Sequence, residues 1–264
     1  MKNITCFVLT LCFLASCSSS KKVSEETLNG RSLVRASIDA HGGIDAWRKS
    51  GALKFRWIYN MSDLGKVVDT VQIVDPVSMD AIHTVPGTDQ SFGHRAGQYW
   101  ASPSASNFAP PARFWTLTPF YFIGIPFVFD DDNANFEILS ATKTFQGQEY
   151  IQVKVSYEQG VGDSPDDYYV LLIDPNTELT RGAYYTVTSP LVNKTGEIVE
   201  KFITLDDLSD VNGLKLAGSH STYTMQDGVI QEKLRSTEIR DTQFLARGEV
   251  DFSIPKGATF PSSN

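Results

Sequence analysis

The 264-residue chain predicts an α+β fold that is mainly antiparallel β, with one N-terminal helix and one short helical, aromatic insert. Three observations predict it. Apolar residues recur with a period of two over most of the chain, and hairpin-type turn pairs separate those runs. Strands also follow one another with no helix-length segment between them, which sets parallel α/β architectures aside. No internal repeat is present.

The first residues read as an address rather than as part of the fold. Met1-Lys2 precede an apolar stretch ending near Leu14, shorter than the ~20 residues of a spanning helix but suited to an export signal. Leu14-Ala15-Ser16-Cys17 resembles the bacterial lipobox, so residues 1–16 are expected to be a lipoprotein signal peptide. Cys17 is then the lipidation site, because only a thiol can form the thioether to a diacylglycerol. An ordinary signal peptide with an incidental cysteine is the alternative. The other cysteines, Cys6 and Cys12, leave with the signal, so the mature chain offers no disulfide, thiolate metal site or cysteine nucleophile. Residues 17–27 are polar and simple in composition and read as a lipidated flexible tether. Residues 28–264 are expected to form a single β domain. Two or three acyl chains hold a protein on its membrane where one is marginal. By resemblance to known lipoprotein-sorting rules, Ser18 in place of an aspartate after the cysteine favours the bacterial outer membrane, and a position facing the periplasm is expected.

Composition narrows the partners. With 23 Lys and Arg against 31 Asp and Glu, the net charge is −8, and no basic cluster appears. This argues against nucleic acid and against adhesion through a polybasic patch. Aromatic residues, at 11%, suffice to line a core or cavity. The expected partners are the membrane, through acylated Cys17, and a hydrophobic small molecule or lipid acyl chain. A monomer without cofactor is expected.

The helix is predicted from about Leu28 to His41, with Val34, Ile38 and His41 on one face and Gly42-Gly43 as its stop. Ile44 to Trp47 reads as a short turn. Leu53 to Met61 then places apolar residues at every odd position and polar ones at three of four even positions. Ile151, Val153, Val155 and Tyr157 repeat the alternation. Gln146-Gly147, Asp174-Pro175-Asn176, Asn212-Gly213 and Asp227-Gly228 are hairpin turn signals. About a dozen strands are expected between residues 52 and 245.

Residues 108–129, FAPPARFWTLTPFYFIGIPFVF, break the pattern. Four prolines prevent a long helix or a central strand. Thr118-Pro119 looks like an N-cap followed by proline at the first helical position. Short helical pieces are expected, ended by Asp130-Asp131-Asp132. So apolar a segment must lie against something: as a cap on a core, as a lid over an apolar cavity, or as a partner-binding patch.

Candidate chemistry is sparse. His41-Gly42-Gly43 resembles an esterase oxyanion loop, but the chain lacks a G-x-S-x-G elbow; Gly218 to Thr222 comes nearest and lacks the second glycine. His41 reads as a last-turn histidine favoured by the helix dipole. His83, His94 and His220 show no metal-ligand spacing. Asp130 to Asp132 lack the alternating ligands of a calcium loop, and Asp166-Asp167 read as a solvated pair. The chain is expected not to be an enzyme.

Three stretches, AHGGIDAWRKSGALKFRW (40–57), the insert ending IPFVFDD, and YYVLLIDPNTELTRGAYYT (168–186), with VDFSIPKG (250–257), resemble an uncharacterised family of bacterial lipoproteins with the LolA/LolB/LppX-like, outer-membrane lipoprotein-sorting fold. The resemblance implies an unclosed antiparallel β half-barrel whose helices cover the open mouth and whose concave side holds acyl chains. The resemblance does not match the soluble carrier's lid-controlling arginine to a specific residue here.

The expected function is binding of a lipid or other hydrophobic ligand in that concavity, in lipid or lipoprotein trafficking. The candidate ligand contacts are Trp57, Trp100, Phe114, Trp115, Phe120, Tyr121, Phe122 and Phe127. The alternative is a structural or partner-binding envelope lipoprotein with a filled core. A hydrolase with a site near His41 or His220 is the third reading, and requires a histidine and a carboxylate within hydrogen-bond reach in a cleft.

Overall fold

A computed structural model describes residues 29–108, 110–158 and 166–261. The expected signal peptide, Cys17 and the tether lie outside the described residues.

Asn29 begins the first helix, α1 (Gly30–Ala40), by accepting the Ser32 backbone N–H, while Ser32 takes the Asn29 N–H in return. Val34 and Ile38 are buried, as their spacing requires. Where a short turn is expected, a second helix forms, α2 (Ile44–Lys49), and it buries Trp47. His41 departs from its expected role too. Its Nε2 accepts the Thr180 N–H, so Nδ1 carries the ring proton and donates to Lys215 O at 2.8 Å. Burial lowers its pKa. It is a neutral bracket between helix and sheet, not a cation on the dipole.

Five strands follow: β1 (Ala52–Met61), β2 (Lys66–Val74), β3 (Ala81–Thr84), β4 (Ser91–Arg95) and β5 (Gln98–Ser102). The insert contributes α3 (Ala112–Trp115) and α4 (Thr118–Ile123). Ten more strands complete the chain: β6 (Ala134–Ile138), β7 (Lys143–Phe145), β8 (Gln148–Tyr157), β9 (Tyr168–Ile173), β10 (Thr180–Tyr185), β11 (Lys201–Thr204), β12 (Ser209–Val211), β13 (Leu214–Leu216), β14 (Ser219–Gln226) and β15 (Val229–Leu245). Three of the expected turns close two-residue hairpins with both residues at positive φ: Gln146-Gly147, Asn212-Gly213 and Asp227-Gly228.

Thirteen strands form one antiparallel sheet in the order β5-β4-β3-β2-β1-β15-β14-β11-β10-β9-β8-β6, with β7 paired to β8. Two meanders are thus joined by the pairing of β1 with β15. The sheet does not close, and its terminal strands are β5, which carries only a single bridge from Ala101 to Thr259 on its outer side, and β6. These strands flank the insert in sequence, so the chain must cross the open mouth to pass from one edge to the other. The lid position follows from this connectivity.

Register fixes which side chains face the lid. Phe55, Trp57 and Tyr59 stand opposite Gln72, Thr70 and Val68 of β2, and Trp57 and Tyr59 stand opposite Ile239 and Thr237 of β15. The row continues through His220, Thr222, Ile203, Ala183, Leu171 and Val153. The opposite face is half-wet except around Trp100 of β5 and at β9 to β11. There Val170, Leu172, Tyr184 and Phe202 form a second small core, and Phe145 of the β7 hairpin packs edge-on to Phe202 at 4.9 Å.

Candidate functional site: a cavity between lid, sheet and strap

The lid is pinned at several points. His83, fully buried on β3, donates from Nε2 to Thr116 O at 2.7 Å. Trp47 of α2 stacks on Phe127 at 4.7 Å and on Phe120 at 5.8 Å. Phe129 meets Tyr169, and Phe122 meets Tyr185 edge-on at 4.9 Å. Beyond these rings, the acidic stop is used for anchoring: Arg48 bonds Asp130 at 2.7 Å, and Arg31 reaches Asp131 O and Ala134 O. Thr118 is not the N-cap expected of it. It is the first residue of α4, and its hydroxyl donates to Phe114 O at 2.6 Å.

The lid does not fill the concave side completely. A cavity of about 440 Å³ lies between α3 and α4, the inner faces of β1, β15, β14 and β11, and the strap of residues 187–199 that joins β10 to β11. Its apolar walls include Trp57, Phe114, Trp115, Phe122, Val187 and Ile203. A neighbouring cavity of about 390 Å³ shares Phe114, Thr118, Phe122, Tyr185 and Val187, and continues past Tyr121, Tyr157 and Tyr169. Burial raises the phenol pKa values of Tyr157, Tyr169 and Tyr185, so these hydroxyls stay neutral.

The eight residues singled out in the sequence separate into three groups. Trp57, Phe114, Trp115 and Phe122 line the larger cavity, and Tyr121 lines the smaller. Phe120 and Phe127 are buried against Trp47 in the core, where they also border a third cavity of about 330 Å³ beside Arg48 and Asp130. Trp100 stands elsewhere. It pairs with Gly93 on the face opposite Phe92 and Ala101, and its ring lies where a side chain on Gly93 would sit, so it does not reach the concave side.

Several wall residues carried no sequence signal. Tyr185, Lys201 and Arg235 come from three different strands, β10, β11 and β15, and the strap is a turn-rich loop from which Val187, Val192 and Val199 reach the cavity. Arg235 makes two bonds of 2.7 Å to Asp63 and one of 3.1 Å to the Tyr59 hydroxyl. Asp63 holds its guanidinium charged and is itself held below the usual carboxylate range. Burial lowers the Lys201 amine.

The histidines are structural in geometry. His41, His83, His94 and His220 each bond a backbone carbonyl: Lys215, Thr116, Met79 and Thr204. Burial pushes His83 down to about 3 and His220 to about 4. No cluster of three His, Cys, Asp or Glu side chains among the described residues could hold a metal.

An unclosed antiparallel half-barrel with a helical lid defines the LolA-like class of fold, and the chain has it. A LolA superfamily protein from Nitrosomonas europaea superimposes with a TM-score of 0.52 at 9% identity, over 83% of this chain and 94% of that one. A DUF1329 family protein from Desulfovibrio piger gives 0.47 at 10% identity, over 83% and 94%. An outer membrane lipoprotein-sorting protein domain from Vibrio parahaemolyticus gives 0.46 at 14%, over 82% and 93%. No family model matches the sequence, and no curated protein matches it.

Proposed function

We propose that the protein is a non-catalytic lipoprotein of the bacterial cell envelope, anchored through acylated Cys17 in the outer membrane, that holds a lipid or other hydrophobic ligand in the half-barrel and takes part in lipid or lipoprotein trafficking. The observation that carries this reading is the 440 Å³ cavity walled by Trp57, Phe114, Trp115 and Phe122. Its size falls within the ~300–1,000 Å³ of ligand sites, and its lining joins aromatic and aliphatic walls to polar groups from the strap, β11, β14 and β15. Each methylene moved from water into it contributes ~0.8 kcal/mol. Binding by burial needs no nucleophile or base, and the use of all four histidine rings as bonds to backbone carbonyls supports that choice.

Packing of Phe120, Ile123, Ile125, Phe127 and Phe129 into the core favours a second reading, in which the lid is chiefly a structural cap. Native mass spectrometry of the intact lipoprotein extracted from its membrane separates the two. The ligand reading expects a bound species of lipid mass that is lost in Val187→Trp, which fills the cavity. Extracted protein that carries no such species and takes up no added fatty acid removes the ligand reading.

A further inference from the structure

Lys201 occupies an unusual place. It lies at the start of β11 with its side chain on the concave face, opposite Tyr185, and forms part of the wall of the larger cavity. It is half-buried, and no ion pair to it forms among the described residues. The nearby acids do not neutralise it. Asp63 is committed to Arg235 through both carboxylate oxygens, and Glu200 accepts the Tyr168 hydroxyl. Glu197, which also borders the cavity, is exposed on the strap.

An ammonium set beside apolar walls loses hydration, and it keeps its charge comfortably only when an anion comes close. Part of the wall suits a hydrocarbon chain: Trp57, Phe114, Trp115, Phe122 and Ile203 give apolar surface in the same cavity, beside polar residues such as Thr222 and Thr237. Arg235 stands in the same wall, but its charge is offset by the two bonds to Asp63, which leaves Lys201, among the described residues, as the cation there without such a partner.

We infer that the cavity is built for an anionic amphiphile, with the hydrocarbon chain between lid and sheet and a carboxylate or phosphate head paired to Lys201. The inference rests on the hydrophobic-ligand reading above and narrows it to a headgroup class. Charge-assisted pairing of an ammonium with an oxyanion in a partly dry site gives the selectivity, and burial of the chain gives most of the affinity.

The test uses the intact lipoprotein in maltoside detergent and native mass spectrometry, with palmitate, 1-palmitoyl-lysophosphatidate and hexadecanol as probes. Chain length is shared, so the head alone differs. The expected result is about tenfold more complex with one or both anionic probes than with hexadecanol, which corresponds to about 1.4 kcal/mol. Preference for palmitate assigns a fatty-acid carboxylate, and preference for the lysophosphatidate assigns a lipid phosphate. Lys201→Gln is expected to reduce the preference to within about twofold, and Lys201→Arg is expected to keep it. Equal binding of all three probes, or a preference untouched in Lys201→Gln, overturns the headgroup assignment and leaves the cavity reading standing. Binding of none of them overturns both. Thermal melting of each variant, unchanged from the parent, shows that a lost preference does not come from misfolding.

Discussion

His83 on the third strand donates from Nε2 to the carbonyl of Thr116, over 2.7 Å and out of reach of water. That carbonyl follows the last residue of α3, where helical oxygens have no partner of their own. The sheet therefore supplies the missing donor and fixes where the lid starts. Phe92 stacks on the imidazole at 4.3 Å, so the ring cannot rotate away without disturbing the core.

Acid should loosen this arrangement first. His83 and His220 have folded-state pKa values of about 3 and about 4, below the unfolded value of about 6.5. The unfolded chain thus binds protons that the folded chain refuses, so stability is complete above about pH 6.5 and is lost as pH falls toward 3–4. Each group contributes a slope of about 1.4 kcal/mol per pH unit within that window. Urea midpoints at pH 7 and pH 5 measure it, and the double variant His83→Gln/His220→Gln should flatten the dependence. An equally steep fall in the double variant assigns the effect to other groups, the buried His41 or the carboxylates.

Trp47 is the centre of a three-ring stack with Phe120 and Phe127. Trp47→Ala removes the largest contact between α2 and the lid, and the fixed sheet beneath cannot collapse into the space. A loss of about 3–5 kcal/mol is expected in urea unfolding. Trp47→Phe should recover more than half of it.

Gly93 gives a contrast between two glycines. A Cβ there would lie 2.0 Å from Ala81 O and 2.7 Å from the Trp100 ring, both immobile, so Gly93→Ala should cost more than about 3 kcal/mol or prevent folding. Gly97, at φ +83 in the next turn, has open space around it. Gly97→Ala should cost only about 1 kcal/mol, from backbone strain. Thermal melts of the two variants side by side decide whether close packing or backbone conformation dominates in this hairpin.

Phe122 separates the two cavities and leans on Tyr185. Phe122→Ala should merge them, lowering stability by about 3 kcal/mol while admitting bulkier hydrophobic probes than the parent protein. Val187→Trp should act oppositely, weakening binding of a fluorescent fatty acid at least tenfold with little change in melting temperature. Probe titration against both variants checks the pair; unchanged affinity in Val187→Trp would place the ligand elsewhere.

The strand pattern was readable because alternation is a local property. Leu53, Phe55 and Trp57 point inward for the same reason that Lys54 and Arg56 do not, and asparagine-glycine and aspartate-glycine pairs supply the positive φ values that tight hairpins need. The aromatic lid was readable from its prolines and rings. The site was only half readable. Ring count marked Trp57 and Phe122 but marked Trp100 equally, and period-two reasoning gives no sign of which face a short strand turns inward until its pairing to Gly93 is known. Phe120 and Phe127 look as ligand-ready as Phe114 until Trp47 is seen between them.

By itself, then, the amino-acid order determined the antiparallel strands, their turns, the leading helix and an apolar crossing segment, since each depends on neighbours within a few residues. Tertiary structure alone decided that β5 and β6 are the terminal strands of the sheet, that the crossing segment therefore spans the mouth, and that Lys201 and Arg235 meet Trp57 and Trp115 around one hollow. Those facts depend on which distant strands pair, and strand pairing is a property of the assembled sheet.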